Sequence, residues 1–293
     1  MAVWKRFAFI IGRVTQQGTP AVIEFYDRHP IGEAQVMAVL RRRGLGLAGR
    51  PSPEDLFELD QDHYGGPAAV EALALRAGIT AASRVLDLCA GLGGPARVLA
   101  HRRGCRVVAS ELNRGRAEGA ARLSRLVGLT GRVTVVRNDA RALPFATGRF
   151  DACISQEALL HIDDKAAVLA ECHRVLASGG RLAFSDWIAH PRLGERERGR
   201  LWQWMAAATT LQSLDGYRSL LGRSGFHAVE AEDQSEEWRG ILRGRLEMYR
   251  GLRRETVAAL GEARYAEYQQ LYDFLVSLVE AGKLGGGRFA ATR

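Results

Sequence analysis

The sequence predicts an α/β fold on a doubly wound, mainly parallel sheet, and three observations carry that prediction. Short apolar runs alternate with helix-length amphipathic segments from Arg84 to Ser185, as in a parallel sheet with helices on both faces. The first apolar run enters Asp87-Leu88-Cys89-Ala90-Gly91-Leu92-Gly93-Gly94, an acidic residue followed by a small-residue turn. With 293 residues, 47% hydrophobic and 25% charged, the chain has ordinary globular composition and can bury a full core.

Taken in chain order, residues 1–60 are expected to form an N-terminal helical arm or lid, and residues 61–293 one domain. Pro20 to Arg43 has helical character, with Val22, Phe25 and Tyr26 on one face and a break at Pro30. Phe7 to Ile11 is apolar after Lys5-Arg6, yet too short for a secretory signal and without a convincing cleavage site. Gly44 to Pro53 is a glycine- and proline-rich connection. Ser52-Pro53-Glu54-Asp55 then reads as a helix start, with Ser52 as N-cap and acids in the first turn. Helix Pro67 to Ala77 precedes the first strand, Val85 to Leu88.

Helix Pro95 to Arg103 follows the glycine turn, and strand Arg106 to Ser110 ends at Glu111. Strand Arg132 to Arg137 runs into Asn138-Asp139-Ala140. Strand Ala152 to Ser155 runs into Gln156-Glu157-Ala158-Leu159-Leu160-His161. Helix Asp163 to Leu176, a turn at Ser178-Gly179-Gly180 and strand Arg181 to Ser185 complete the alternating core. Beyond it, Arg192 to Thr210 reads as an inserted helix, Asp215 to Ser224 as a crossover helix and Phe226 to Ala231 as the sixth strand. Glu236 to Arg254 and Glu262 to Ala281 read as two long helices that, with the insertion, form a helical cap. Gly285-Gly286-Gly287 breaks the pattern before a last edge strand, Arg288 to Thr292.

The glycine turn points to a ligand. Glycine lets the backbone turn tightly and lets a ligand approach with no Cβ in the way, and the following helix presents free N–H groups. The carboxylate of Asp87 would repel a phosphate, and the full G-x-G-x-x-G fingerprint of a dinucleotide site is absent. A ligand with an ammonium and a sulfonium suits the turn better. The pattern resembles the first motif of class I S-adenosylmethionine-dependent methyltransferases, and three later segments match in order. Glu111 stands where an acid takes both ribose hydroxyls. Asp139 stands where an aspartate bonds the adenine amino group, with the next backbone N–H on a ring nitrogen. The run Gln156 to His161, with Arg174-Val175-Leu176 before a glycine turn, resembles small-molecule methyltransferases. The resemblance covers Tyr64 to Phe226 well and the remainder loosely.

That resemblance implies a Rossmann-like seven-stranded sheet whose last strand pairs antiparallel with the sixth, and S-adenosylmethionine as cofactor. It assigns cofactor binding to Tyr64, Asp87, Ala90, Gly91, Gly93, Glu111, Leu112, Asn138, Asp139, Ala140 and Gln156. His161 is the candidate base, since an unperturbed imidazole suits proton transfer near neutrality. Glu157 is the second candidate catalytic residue, either meeting a cationic amine or capping the next helix. Trp187 could hold a methylammonium by cation–π attraction or close the core. Trp204 and Met205, on the inserted helix, are candidate acceptor-binding residues. Sarcosine/dimethylglycine N-methyltransferases are the nearest likeness, with quinone-biosynthesis and sterol-type relatives close behind. An O- or C-methyltransferase of a natural product, quinone or lipid is the alternative, and an RNA methyltransferase a third.

Charge argues against nucleic acid despite a formal +8. Of the 41 basic residues all but Lys5, Lys165 and Lys283 are arginine, a compositional bias, and they interleave with glutamate as in Glu195-Arg196-Glu197-Arg198. No apolar run approaches the roughly 20 residues of a membrane span. Cys89, Cys105, Cys153 and Cys172 are isolated, so neither a disulfide framework nor a metal site is expected. A small-molecule substrate, a cytoplasmic location and a homodimer complete the expectations.

Overall fold

The computed structural model describes residues 20–45, 49–207 and 210–293; the basic, apolar segment around Lys5 to Ile11 lies outside them. Strands β1 (Arg84–Leu88), β2 (Arg106–Glu111), β3 (Val133–Arg137), β4 (Phe150–Gln156), β5 (Leu176–Ala189), β6 (His227–Asp233) and β7 (Leu284–Thr292) form one sheet. Its order is β3-β2-β1-β4-β5-β7-β6. The pairs from β3 to β5 are parallel, and β7 runs antiparallel to both its neighbours. From β1 the chain adds β2 on one side and later β4 on the other, and this switch in strand order opens a crevice at the strands' C-terminal ends.

Alternation along the strands sets the two layers. Val85, Val107 and Ile154 face α3 (Gly66–Arg76), α4 (Gly94–Arg102) and α5 (Arg114–Leu126). Leu86, Val108 and Cys153 face α6 (Lys165–Val175) and α8 (Leu214–Arg223). A third cluster joins Trp187 of β5 to α7 (Glu195–Met205), α9 (Ser235–Gly251) and α11 (Glu262–Glu280). Val36 and Leu40 of α2 (Glu33–Arg42) pack in the first cluster with Leu56 and Phe57, while α1 (Pro20–Asp27) lies over the crevice.

Several sequence expectations change. The last strand is interior, not at the edge: β7 sits between β5 and β6 and begins at Leu284. The glycines read as a break belong to it. A Cβ on Gly286 would lie 2.2 Å from the Trp238 ring, so glycine is what lets α9 settle on the strand. The turn at Ser178–Gly180 is absorbed into β5 as a bulge: pairing with β4 jumps from Phe150↔Leu176 to Ala152↔Arg181. The inserted helix is shorter than expected, ending at Met205 with Ala206 in the left-handed region. The stretch Glu236 to Arg254 divides into α9 and α10 (Arg253–Leu260) at Leu252. Ser52 and Asp55 do bond reciprocally, at 2.7 and 3.4 Å, but they start only a single turn, Glu54–Leu56.

Candidate active site

The C-terminal ends of β1, β2 and β4, roofed by α1 and by the cap helices, enclose a cavity of about 470 Å³. Two residues at this rim sit in the left-handed backbone region without being glycine: Cys89 after β1 (φ 58°) and Glu157 after β4 (φ 52°). Such conformations cost about 1–3 kcal/mol each and persist where surrounding bonds over-determine them. Glu157 shows how. Its N–H donates to the Ser185 carbonyl at 2.8 Å, and its carboxylate accepts the Tyr64 N–H at 2.7 Å.

At one end, backbone geometry dominates. Glu111 accepts the Gly91 N–H on one oxygen and the Asn113 N–H on the other, both at 2.8 Å. Those bonds offset part of the burial that raises its pKa. Asp87 is buried and its Oδ2 has no partner; burial, with Glu111 adding to it, pushes its pKa up to about 7 against the Ala96 N–H. Asn138 accepts from the Ser110 hydroxyl at 3.0 Å. Asp139 takes the Arg141 N–H at 2.9 Å and pairs with its guanidinium. Leu112, Ala90 and Ala140 line the same wall.

At the other end, side chains from distant segments meet. Gln156 lies against His63, and Tyr64 packs edge-on to both Trp187 and Trp238. The Arg245 guanidinium of α9 stands 4.3 Å above the Tyr64 ring and donates to the His63 carbonyl at 2.9 Å. His161 is held on both nitrogens: Nδ1 lies 3.1 Å from the Ala206 carbonyl and Nε2 lies 3.0 Å from the Tyr26 hydroxyl. A carbonyl only accepts, so Nδ1 carries the hydrogen and Nε2 accepts from Tyr26. Burial pushes the His161 pKa down to about 4 and the Tyr26 pKa up, so this pair is a neutral imidazole and a protonated phenol. Met205, Tyr268, Leu271, Tyr272 and Leu275 close the far wall.

Two expected residues stand apart from the cavity. Gly93 serves the turn, as the left-handed N-cap of α4 (φ 75°). Trp204 packs on Phe274 of α11 beneath Arg200, on a face of α7 turned to the cap, while Met205 at the end of that helix reaches the cavity. Trp187, 2% exposed, is a wall shared with the core rather than an open cage. Sequence reasoning missed Tyr26, His29, Asp62, His63, Arg116, Arg245 and Tyr272, all lining the cavity. Only the polar run Asp60 to Tyr64, interrupting apolar sequence before a glycine pair, signalled any of them.

A doubly wound sheet with an acid at the end of β2 holding the glycine turn, and a carboxylate after β3, is the arrangement of a Rossmann-like fold. A family described as methyltransferase domain matches residues 86–184. Methyltransferase GfsG of Streptomyces halstedii is 31% identical over 191 residues, which is 64% of this chain and 68% of that protein. The sarcosine/dimethylglycine N-methyltransferase of Halorhodospira halochloris is 40% identical over 104 residues, 36% of this chain and 37% of its own length. Phosphoethanolamine N-methyltransferase 2 of Haemonchus contortus, solved with S-adenosyl-L-methionine, matches the fold. Its TM-score is 0.77 at 21% identity, over 96% of this chain and 60% of that one.

The chain belongs to the class I S-adenosylmethionine-dependent methyltransferases, and S-adenosylmethionine is its cofactor. Among the described residues no helix is long and apolar enough to cross a membrane.

Proposed function

We propose that the chain methylates the amine of a small molecule that also bears an anionic group, with sarcosine and dimethylglycine as the simplest cases. Arg245 carries this reading. Three arginines line the cavity. Arg116 pairs with Asp62 and Arg141 with Asp139. Arg245 has no carboxylate in ion-pair contact among the described residues, only the Tyr64 ring and one carbonyl. A guanidinium fork matches a carboxylate or a phosphate geometrically as well as electrically. Glu157 does not cancel its charge: burial pushes that carboxyl up to about 8, so it is mostly protonated at neutral pH.

The cofactor supplies a sulfonium-bound methyl already activated for transfer, and the residues present fit it. Glu111 would take the ribose hydroxyls on the lone pairs left after its two backbone bonds. Asp139 and the Ala140 N–H would meet the adenine. Asp87 Oδ2, buried without a partner, and the Gln156 carbonyl are acceptors for the amino-acid end. What remains for the protein is alignment, holding the nucleophile about 3 Å from the methyl, and removal of a proton. Tyr26, hydrogen-bonded to His161, can accept a proton from the acceptor while passing its own to Nε2. The four cysteines are free thiols, Cys153 and Cys172 included although their sulfurs lie 3.9 Å apart, which suits a reducing cytoplasm, and a homodimer is the assembly we expect.

The likeness to sarcosine/dimethylglycine N-methyltransferase over part of the chain supports this reading. The test is steady-state methylation of sarcosine, dimethylglycine, phosphoethanolamine and a panel of phenols. Arg245→Ala should raise the amine's KM by about tenfold or more, the scale of one charge-assisted bond, with a smaller loss of S-adenosylhomocysteine affinity. Turnover of phenols and of no amine would sink the proposal. It would instead favour a second reading, O-methylation, for which the Tyr26–His161 pair also speaks, since a hydroxyl needs its proton removed to attack.

A further inference from the structure

A buried polar chain runs from the back of α4 to the cavity. Arg97 is fully buried, and its Nε and Nη2 donate to Asp60 Oδ2 at 3.1 and 2.5 Å. Its other N–H groups go to the Leu92 and Ala120 carbonyls and the Ser124 hydroxyl. Asp60 Oδ1 accepts from Gln61 Nε2 at 2.7 Å. Gln61 Oε1 lies 2.8 Å from His63 Nε2, and His63 Nδ1 lies 3.0 Å from Gln156 Nε2. At the open end, Gln156 Oε1 is buried without a partner on a side chain that lines the cavity.

Each link fixes the direction of the next. A carboxylate only accepts, so Gln61 turns its N–H to Asp60 and its carbonyl to His63. That carbonyl also only accepts, so His63 Nε2 carries a hydrogen. Burial pushes the His63 pKa down to about 4; the neutral ring then has its lone pair on Nδ1, facing the Gln156 N–H. The Tyr64 carbonyl, 3.1 Å from Nδ1, pulls the other way. Satisfying it with a neutral ring would turn the Gln61 oxygen onto a carboxylate. The charge-assisted bond is the stronger of the two, so the Asp60 end decides.

We infer that the Asp60–Arg97 ion pair, acting through Gln61 and His63, holds the Gln156 amide with its oxygen free for the cofactor's ammonium group. Asp60, Gln61 and His63 are thereby positioning residues for a contact they do not make. The inference rests on the assignment of Gln156 to the amino-acid end of the cofactor.

The test compares calorimetric binding of S-adenosylhomocysteine with that of methylthioadenosine, which keeps the nucleoside and lacks the amino acid. Gln156→Ala and Gln61→Leu should each weaken S-adenosylhomocysteine by about tenfold, the scale of one hydrogen bond to a charged group, and leave methylthioadenosine within about twofold. If Gln156→Ala has the selective effect and Gln61→Leu does not, the relay is overturned and the assignment of Gln156 stands. If Gln156→Ala changes nothing, the assignment falls and the inference with it. Equal losses with both ligands in Gln61→Leu would also overturn the relay. Independently of any variant, nitrogen NMR shifts of His63 in the wild-type protein should report the Nε2–H tautomer; the Nδ1–H tautomer would overturn it.

Discussion

The two ends of the cavity are built by opposite means. At the end toward β1 to β3, which we assign to the cofactor, Asp87, Glu111, Asn138 and Asp139 each lie within a few residues of a strand's C-terminus, and backbone N–H groups hold Glu111. At the acceptor end, Tyr26 comes from α1, His161 from beyond β4, Arg245 from α9 and Tyr272 from α11, and side chains brace side chains. The first end follows from three local strand–turn units side by side. The second exists only where four separated segments meet. A fold of this kind can keep its cofactor end fixed while the acceptor end changes with the cap.

The sharpest way to break that comparison is at Glu111. Glu111→Ala leaves two buried backbone N–H groups unpaired, each costing about 1–3 kcal/mol, and removes the acceptor for the ribose. Affinity for S-adenosylhomocysteine should fall by at least about 100-fold in calorimetry. A loss under tenfold would mean that the nucleoside does not sit against β2.

Tyr26→Phe tests the other end with a smaller effect. It keeps the ring over Arg116 (4.8 Å) and deletes the hydroxyl given to His161. We expect kcat to fall by about 100-fold, the lower range for a lost proton-transfer group, with cofactor affinity unchanged. A change confined to cofactor affinity would move α1 to the nucleoside side of the comparison.

A third prediction, on stability rather than binding or rate, is a pH dependence set by Glu157. Its folded pKa, raised to about 8 by burial, exceeds the unfolded value of about 4.3. The folded state therefore keeps a proton that the unfolded state has released. The contribution is full below about pH 4 and is lost as pH rises toward 8. Glu157→Gln does not titrate, so the wild-type advantage over the variant should shrink between pH 5 and pH 8 in urea midpoints. A constant difference would contradict the burial of this carboxyl.

Legibility followed the same division. Asp87, Glu111 and Asp139 were readable because a strand, an acid and a turn are contiguous in sequence and their spacing reports one crossover each. Arg245 was not, being one arginine among many until α9 laid it across Tyr64. Trp204 misled because it was expected to meet the acceptor, yet Phe274 takes its ring. The glycines at Gly285–Gly287 misled for a related reason. A glycine run reads as a break unless one knows that a tryptophan from another helix occupies the space of the missing side chain.

By itself the sequence determined the alternation of strands and helices in the core and the glycine turn after β1, because periodicity and short motifs encode interactions between near neighbours; the resemblance those motifs carry supplied the cofactor. The tertiary structure alone decided that β7 lies inside the sheet, that His161 gives up both nitrogens to Ala206 and Tyr26, and that Arg245 lines the cavity with no carboxylate in ion-pair contact among the described residues. Those facts depend on which distant segments come into contact, and no local pattern of residues records that.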